Sequence, residues 1–219
     1  MRQHMSENKQ ALLLLSGGMD STTVLAMLTH QGYSVTALCF DYGQTLAKET
    51  AYARSNAERY GAKFILIKTP LDFLDSDCAI LGGSQIPVNR TRDEIQSSGT
   101  PITYVPFRNG IFLSYAVAYG EEQNISEIYA GANGLNSGNY YDDTEAFANS
   151  FTKAANTGTS PEYHPQIIFP LASKTKKEVR EIGEGLGIDY DNQTWSCYTN
   201  NETPCGICDS CIQRLEAWK

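Results

Sequence analysis

Short apolar runs alternate along this chain with longer stretches of helical spacing. Residues 11–15 are continuous and apolar, as expected of a strand buried on both faces. The apolar positions within 22–28 then predict a helix, which Gly32 closes as its C-terminal cap. Residues 35–40 read as a second strand, 47–60 as a helix ending at Gly61, and 63–67 as a third strand. A β-α-β-α-β order implies a parallel sheet with right-handed crossovers. The pattern then loosens. Residues 70–103 carry Gly82-Gly83, Pro87 and Ser97-Ser98-Gly99, and read as a long excursion over the active site. Periodicity returns as a helix over 109–122 with Ile111, Phe112, Tyr115 and Val117 inward, a strand over 126–130 and a helix over 145–156. A short strand at 167–169 follows, then a helix that opens on the capping box Thr175 to Glu178 and closes at Gly187. No internal repeat or low-complexity segment breaks this order. The predicted class is α/β, a parallel sheet with helices on both faces.

The turn after the first strand is Ser16-Gly17-Gly18-Met19-Asp20-Ser21. A phosphate chain docks well on such a turn, because glycines admit close backbone approach and a helix start presents unpaired N–H groups. Hydroxyls of Ser16, Ser21 and Thr22 add donors without charge. The plainer reading is an ordinary turn capped by Asp20 or Ser21. Serines on both sides of the glycines, and the place of the turn after the opening strand, favour phosphate. The stretch is neither G-x-x-x-x-G-K-[ST] nor G-x-G-x-x-G. Asp41-Tyr42-Gly43-Gln44 follows the second strand, so two neighbouring strands deliver polar turns to one sheet edge. Arg108, just before an apolar helix, is either a solvated first-turn residue or a clamp for a nucleotide or carboxylate. Lys176 sits at a helix start, where the helix dipole disfavours a cation; an anion and plain solvation explain it equally well.

Composition narrows the classes. The chain has 219 residues, 41% of them apolar and 19% charged, enough for one good-sized α/β domain with a small appendage. A net charge of −8 argues against nonspecific nucleic-acid binding, leaving room for a local basic pocket. No apolar run approaches the roughly 18 residues of a membrane helix, and the polar start resembles no signal peptide. The expectation is a cytoplasmic protein divided into a flexible tail (1–10), an α/β domain (11–190) and a zinc-binding segment packed on it (191–219). Of six cysteines, Cys197, Cys205, Cys208 and Cys211 crowd the C-terminal end as C-x7-C-x2-C-x2-C. Two overlapping C-x2-C turns, eased by Gly206, suit a structural zinc ion with four thiolates and no open position. An iron–sulfur cluster is the second reading, though the proline that follows the last ferredoxin cysteine is absent here. Cys39 and Cys78 read as small apolar residues.

Several motifs together resemble one family. The turn at Ser16–Ser21 looks like the pyrophosphate loop of the N-type ATP pyrophosphatases, which activate a carboxylate or carbonyl oxygen as its adenylate. With D-Y-G-Q, Val105 to Ser114, Gly131 to Asn133, Pro170-Leu171, Thr194 to Tyr198 and Cys205 to Arg214, the set resembles the QueC family of 7-cyano-7-deazaguanine synthases from residue 11 to 217. The resemblance implies a Rossmann-like, adenine-nucleotide-hydrolase-type sheet and a homodimer. It implies ATP with Mg²⁺ and a zinc ion on the four cysteines. The implied reaction joins 7-carboxy-7-deazaguanine and ammonia into the nitrile on the route to queuosine, with no membrane or nucleic-acid partner. It assigns ATP binding to Leu15, Ser16, Gly17, Gly18, Asp20, Ser21 and Thr22. Phe40, Tyr42, Gln44 and Gly131 belong to the same set. The deazaguanine falls to Arg108, Asn109, Asn133, Tyr140 and Asp142, and catalysis to Asp20, Ser21, Arg108 and Lys176. Two segments depart from the family pattern. Thr45 and Leu46 stand where Arg-His is usual, and the stretch from Asn136 to Phe147 keeps Tyr140, Asp142 and Phe147 but has Asp143 and Thr144 for a cysteine and an arginine. A relative that adenylates the same or a similar acid and stops at an amide or conjugate, as in a phage or defence setting, is therefore a second reading. A non-catalytic nucleotide-binding protein is a third.

Overall fold

The computed structural model describes residues 9–45, 47–74, 77–133, 140–199 and 201–219. Most of the predicted tail, Leu46 and the variable residues 136–139 lie outside that set.

In chain order the larger elements are β1 (Gln10–Leu14), α1 (Met19–His30), β2 (Ser34–Asp41), α2 (Ala47–Arg59) and β3 (Lys63–Lys68). Then come α3 (Arg92–Ser97), α4 (Arg108–Gln123), β4 (Glu127–Ala130), α5 (Glu145–Gly158) and β5 (Gln166–Ile168). The chain closes with α6 (Lys176–Gly185), α7 (Tyr190–Gln193) and α8 (Asp209–Leu215). All five strands pair in parallel, in the order β3-β2-β1-β4-β5.

The continuous apolar runs are explained by burial on both faces. Leu12, Leu38, Ile128 and Ile167 point to one side, against Phe112, Leu113 and Ala116 of α4 and Ala148 of α5. Leu13, Ala37 and Cys39 point to the other, against Val24 and Leu25 of α1, Ala53 of α2 and Val179 of α6. Alternate residues of each strand thus feed two separate cores. Of the inward positions predicted on α4, Phe112 and Val117 are buried, whereas Tyr115 is 42% exposed and meets the edge of Phe40.

The sheet order places a topological switch between β1 and β4, where the chain first builds outward to β3 and then returns to the other side of β1. Ligands of open parallel sheets bind at the carboxyl ends of strands at such a point. The turn after β1 and the turn after β4 meet there. A Cβ added to Gly131 would lie 2.6 Å from the Ser21 amide nitrogen, so only glycine permits this approach.

The excursion after β3 is more ordered than its composition predicts. It holds a 3-10 turn at Ala79–Leu81 and the helix α3, which opens on the capping box Thr91–Glu94. It docks on the cysteine-bearing end of the chain. Val88 bridges Cys208, the Asn89 amide donates to the Ile207 carbonyl at 2.8 Å, and Arg90 pairs with Asp209.

Candidate active site

A cavity of about 270 Å³ opens at the switch point. Its floor is the turn from β1 into α1. Ser21 Oγ lies 3.0 Å from Ser16 Oγ and 3.2 Å from the Ser16 amide, and Ser16 Oγ accepts from the Gly18 amide at 3.3 Å. The two serine hydroxyls therefore shape the loop from within. Gly18 caps α1 with no side-chain hydrogen bond, so the first-turn amides are left for an anion. Lys176 Nζ sits 2.5 Å from Asp20 Oδ2, which explains a cation at a helix start: α6 brings it to a carboxylate of a neighbouring turn. Asp20 Oδ1 is buried with no partner among the described residues, an acceptor open to a cation. The loop residues fit a nucleotide polyphosphate with its divalent ion.

The facing wall is assembled from distant parts of the chain. Arg108 is the first residue of α4, and its guanidinium donates to the Tyr42 hydroxyl at 3.2 Å. The turn before it is held by Phe107 in the left-handed region at φ 54. Arg108 has no carboxylate within ion-pair distance among the described residues, so a charged fork faces the cavity. Tyr140 joins this wall through a 2.6 Å hydrogen bond to Thr103 of the excursion. Gln44 closes the β2 turn, accepting from the Tyr42 amide at 2.8 Å and donating to the Phe40 carbonyl at 3.1 Å.

Most of the residues expected at the site line this cavity. Leu15, Ser16, Gly18, Asp20 and Ser21 do so, as do Phe40, Tyr42, Gln44 and Gly131. Arg108, Asn109, Asn133, Tyr140 and Lys176 complete that set. Three expected residues do not line it. Thr22 is fully buried on the side of α1 that faces α2, where its hydroxyl accepts from Asn56 at 3.1 Å. Gly17, at φ 84, packs against α2, and its carbonyl accepts from the Trp195 amide at 3.0 Å. Asp142 is buried and caps α4, accepting from the Asn109 amide at 2.8 Å. Its neighbour Asp143 faces the cavity instead and accepts from Asn109 Nδ2 at 2.8 Å.

Sequence reasoning missed Glu49, Asp143 and Tyr198 as lining residues. Burial lifts the Asp143 carboxyl to about 6 against the pull of Arg108, and lifts Glu49 to about 7 against the same charge. Two carboxyls titrating near neutrality in one cavity are a mark of functional chemistry. Tyr198 follows the ligand-like Cys197 directly, so the T-W-S-C-Y motif held a cavity residue as well as a cysteine.

The Sγ atoms of Cys197, Cys205, Cys208 and Cys211 all lie within 4.8 Å of one another. Backbone amides point at them: Cys205 N and Thr199 N reach Cys197 Sγ at 3.3 and 3.4 Å, and Cys208 N reaches Cys205 Sγ at 3.3 Å. Such donors stabilise thiolates and fix their directions. Four soft sulfur donors at this spacing fit one tetrahedral zinc ion.

The five-stranded parallel sheet and the glycine turn at its switch point define a Rossmann-like α/β protein. Two solved structures share the fold. A predicted subunit of tRNA methyltransferase from Methanocaldococcus jannaschii superposes with a TM-score of 0.51 at 16% identity, over 80% of this chain and 74% of that one. NMN synthetase from Francisella tularensis does so with a TM-score of 0.50 at 17% identity, over 90% and 70%. At sequence level, residues 10–219 match the family described as "Queuosine biosynthesis protein QueC". The 7-cyano-7-deazaguanine synthase of Clostridium kluyveri is 42% identical, over 96% of this chain and 93% of that protein. The protein of the same name from Thermoplasma acidophilum is 38% identical, over 97% and 88%. The chain belongs to the QueC family.

Proposed function

We propose that this protein is an ATP-dependent ligase that converts 7-carboxy-7-deazaguanine and ammonia into 7-cyano-7-deazaguanine. The observation that carries the reading is one cavity with the Ser16–Ser21 turn on one wall and, on the other, an arginine with no ion pair among the described residues. The two walls match the two halves of the reaction. Ser16–Ser21 would hold the ATP polyphosphate, and Asp20 would offer an oxygen to the Mg²⁺ that accompanies it. Arg108 takes the substrate carboxylate, and Asn109, Asn133 and Tyr140 meet the base.

A carboxylate is a poor electrophile. Transfer of the adenylyl group gives its oxygen a leaving group, after which ammonia attacks the acyl carbon. A second adenylation activates the amide oxygen, and loss of AMP leaves the nitrile. The loop amides and Lys176 stabilise charge on the phosphates. Arg108 aligns the carboxylate with the α-phosphorus, so the protein acts mainly by positioning and electrostatics. The four cysteines would hold zinc as a structural ion, bracing the end of the chain that supports Gly17 through Trp195. Relatives named 7-cyano-7-deazaguanine synthase at 38–42% identity over nearly the full chain support the substrate assignment. The direct test is pyrophosphate release with ATP and Mg²⁺. It is expected to require 7-carboxy-7-deazaguanine and to rise when ammonia is added. Release independent of that acid overturns the assignment.

A further inference from the structure

The cavity that holds the glycine turn and Arg108 also carries a carboxylate with no partner among the described residues. Glu49 stands on the first turn of α2, directly against the loop: a Cβ added to Gly17 would lie 2.5 Å from the Glu49 carbonyl oxygen. Its side chain is half-buried and lines the same cavity as Arg108 and Tyr42. Among the described residues no hydrogen bond or ion pair within 4 Å engages it. The other cavity carboxylates are engaged, Asp20 by Lys176 at 2.5 Å and Asp143 by Asn109 at 2.8 Å.

The place of this carboxylate matters because of where the reacting carbon must lie. An acyl adenylate joins a phosphorus to an acyl carbon through one oxygen. With the phosphates on Ser16–Ser21 and the substrate carboxylate on Arg108, that carbon falls between the two, in the cavity that Glu49 also lines. The nitrogen that joins it enters as ammonia with three N–H bonds and leaves as a nitrile with none. Attack on the acyl adenylate forms the C–N bond, breaks the C–O bond to AMP and frees one proton. Adenylation of the amide oxygen breaks a phosphoanhydride bond, releases pyrophosphate and takes the second proton as an imidate forms. Loss of AMP then breaks the second C–O bond, the third proton departs, and its electron pair completes the triple bond. Nothing is oxidised or reduced, so what the protein must supply is a base.

Building on the ligase reading above, we infer that Glu49 is the base that takes protons from this nitrogen. Burial holds its carboxyl at about 7, against the pull of Arg108. The groups that face it are Arg108, Tyr42, Tyr198 and the Cys39 thiol. Burial keeps both phenols and the thiol protonated near neutrality, so Arg108 is the charge it feels. A base whose pKa lies near the working pH is half ionised and still basic enough to accept a proton.

The test separates adenylation from amination in Glu49→Gln and Glu49→Asp. Pyrophosphate release with 7-carboxy-7-deazaguanine and no ammonia reports the first step; mass spectrometry with ammonia reports amide and nitrile. Glu49→Gln is expected to keep the first signal and to form nitrile about 10²-fold more slowly, with Glu49→Asp restoring part of the rate. At a fixed concentration of free NH₃, wild-type nitrile formation should fall as the pH drops below about 7, and this limb should vanish in Glu49→Gln. Nitrile formation at the wild-type rate in Glu49→Gln overturns the inference. Loss of both steps by the same factor overturns it too, because Glu49 would then support the loop and not the nitrogen. If Glu49→Gln does not fold, Glu49→Asp decides the matter by the same split. No acid-dependent pyrophosphate release from the wild type overturns the ligase reading, and this inference with it, before any variant is assayed.

Discussion

On one wall of the cavity the lining residues Ser16, Gly18, Met19, Asp20 and Ser21 come from a single turn; on the other Tyr42, Arg108, Tyr140, Asp143 and Tyr198 come from widely separated parts of the chain. The loop wall is made of backbone: glycines, an uncapped helix start and hydroxyls that bond within the loop. The facing wall is made of side chains whose meeting depends on long-range packing. On the proposed reading the loop holds a polyphosphate, whose constant shape a local turn can match. Recognition of a particular acid needs several side chains brought from different elements.

The largest effect separates the two walls. Asp20→Ala removes the carboxylate that pairs with Lys176 and carries the unpartnered Oδ1. Turnover is expected to fall by about 10³-fold, as for loss of one charge-stabilising group, with the circular-dichroism spectrum unchanged. Steady-state pyrophosphate assays check this.

Next in size is the support of both walls. Cys208 caps α8 and bridges Val88 of the excursion, and the same end of the chain holds Gly17 through Trp195. Cys208→Ser should lose bound zinc and lower the Tm by roughly 10 °C, since metal binding adds to folding free energy. Metal analysis alongside calorimetry checks it; full zinc content with an unchanged Tm contradicts a structural ion.

A smaller effect sharpens the facing wall alone. The Asp143 carboxyl has its folded pKa raised from 3.8 to about 6, chiefly by burial. Between those values the folded state keeps a proton that the unfolded chain releases, so stability falls as pH rises and the loss is complete above about 6. Asp143→Asn removes that loss. Its Tm relative to wild type should therefore be higher at pH 8 than at pH 4. The smallest effect is Tyr140→Phe, which deletes the 2.6 Å hydrogen bond to Thr103. It should cost about 1 kcal/mol and raise KM for the acid while leaving KM for ATP in place.

The same contrast governs what was legible in the sequence. The order of strands and helices was readable because the central strands β1 and β2 are buried on both faces and so appear as apolar runs. The strand-to-helix turn at Ser16–Ser21 was readable because it is local. Thr22 misled because its side of α1 is chosen by packing on α2, which a single motif does not record. Asp142 and Asp143 exchanged roles by one residue within a 3-10 turn, where neighbouring side chains point in different directions. The helix α3 escaped notice although Thr91 to Glu94 carries the same capping box as Thr175 to Glu178. It is short and sits among turn residues, which mask it. Glu49 escaped because a glutamate in a first helical turn is an ordinary sight until the fold sets it against Gly17 and in the same cavity as Arg108.

The central claim is that one cavity joins ATP to the carboxylate of a deazaguanine and carries it through to the nitrile. Mass spectrometry of the product formed from 7-carboxy-7-deazaguanine, ATP, Mg²⁺ and ¹⁵N-labelled ammonia tests it most directly. The account predicts 7-cyano-7-deazaguanine carrying the label in its nitrile nitrogen. An amide or a conjugate as the end product, or recovery of the acid unchanged, would contradict it.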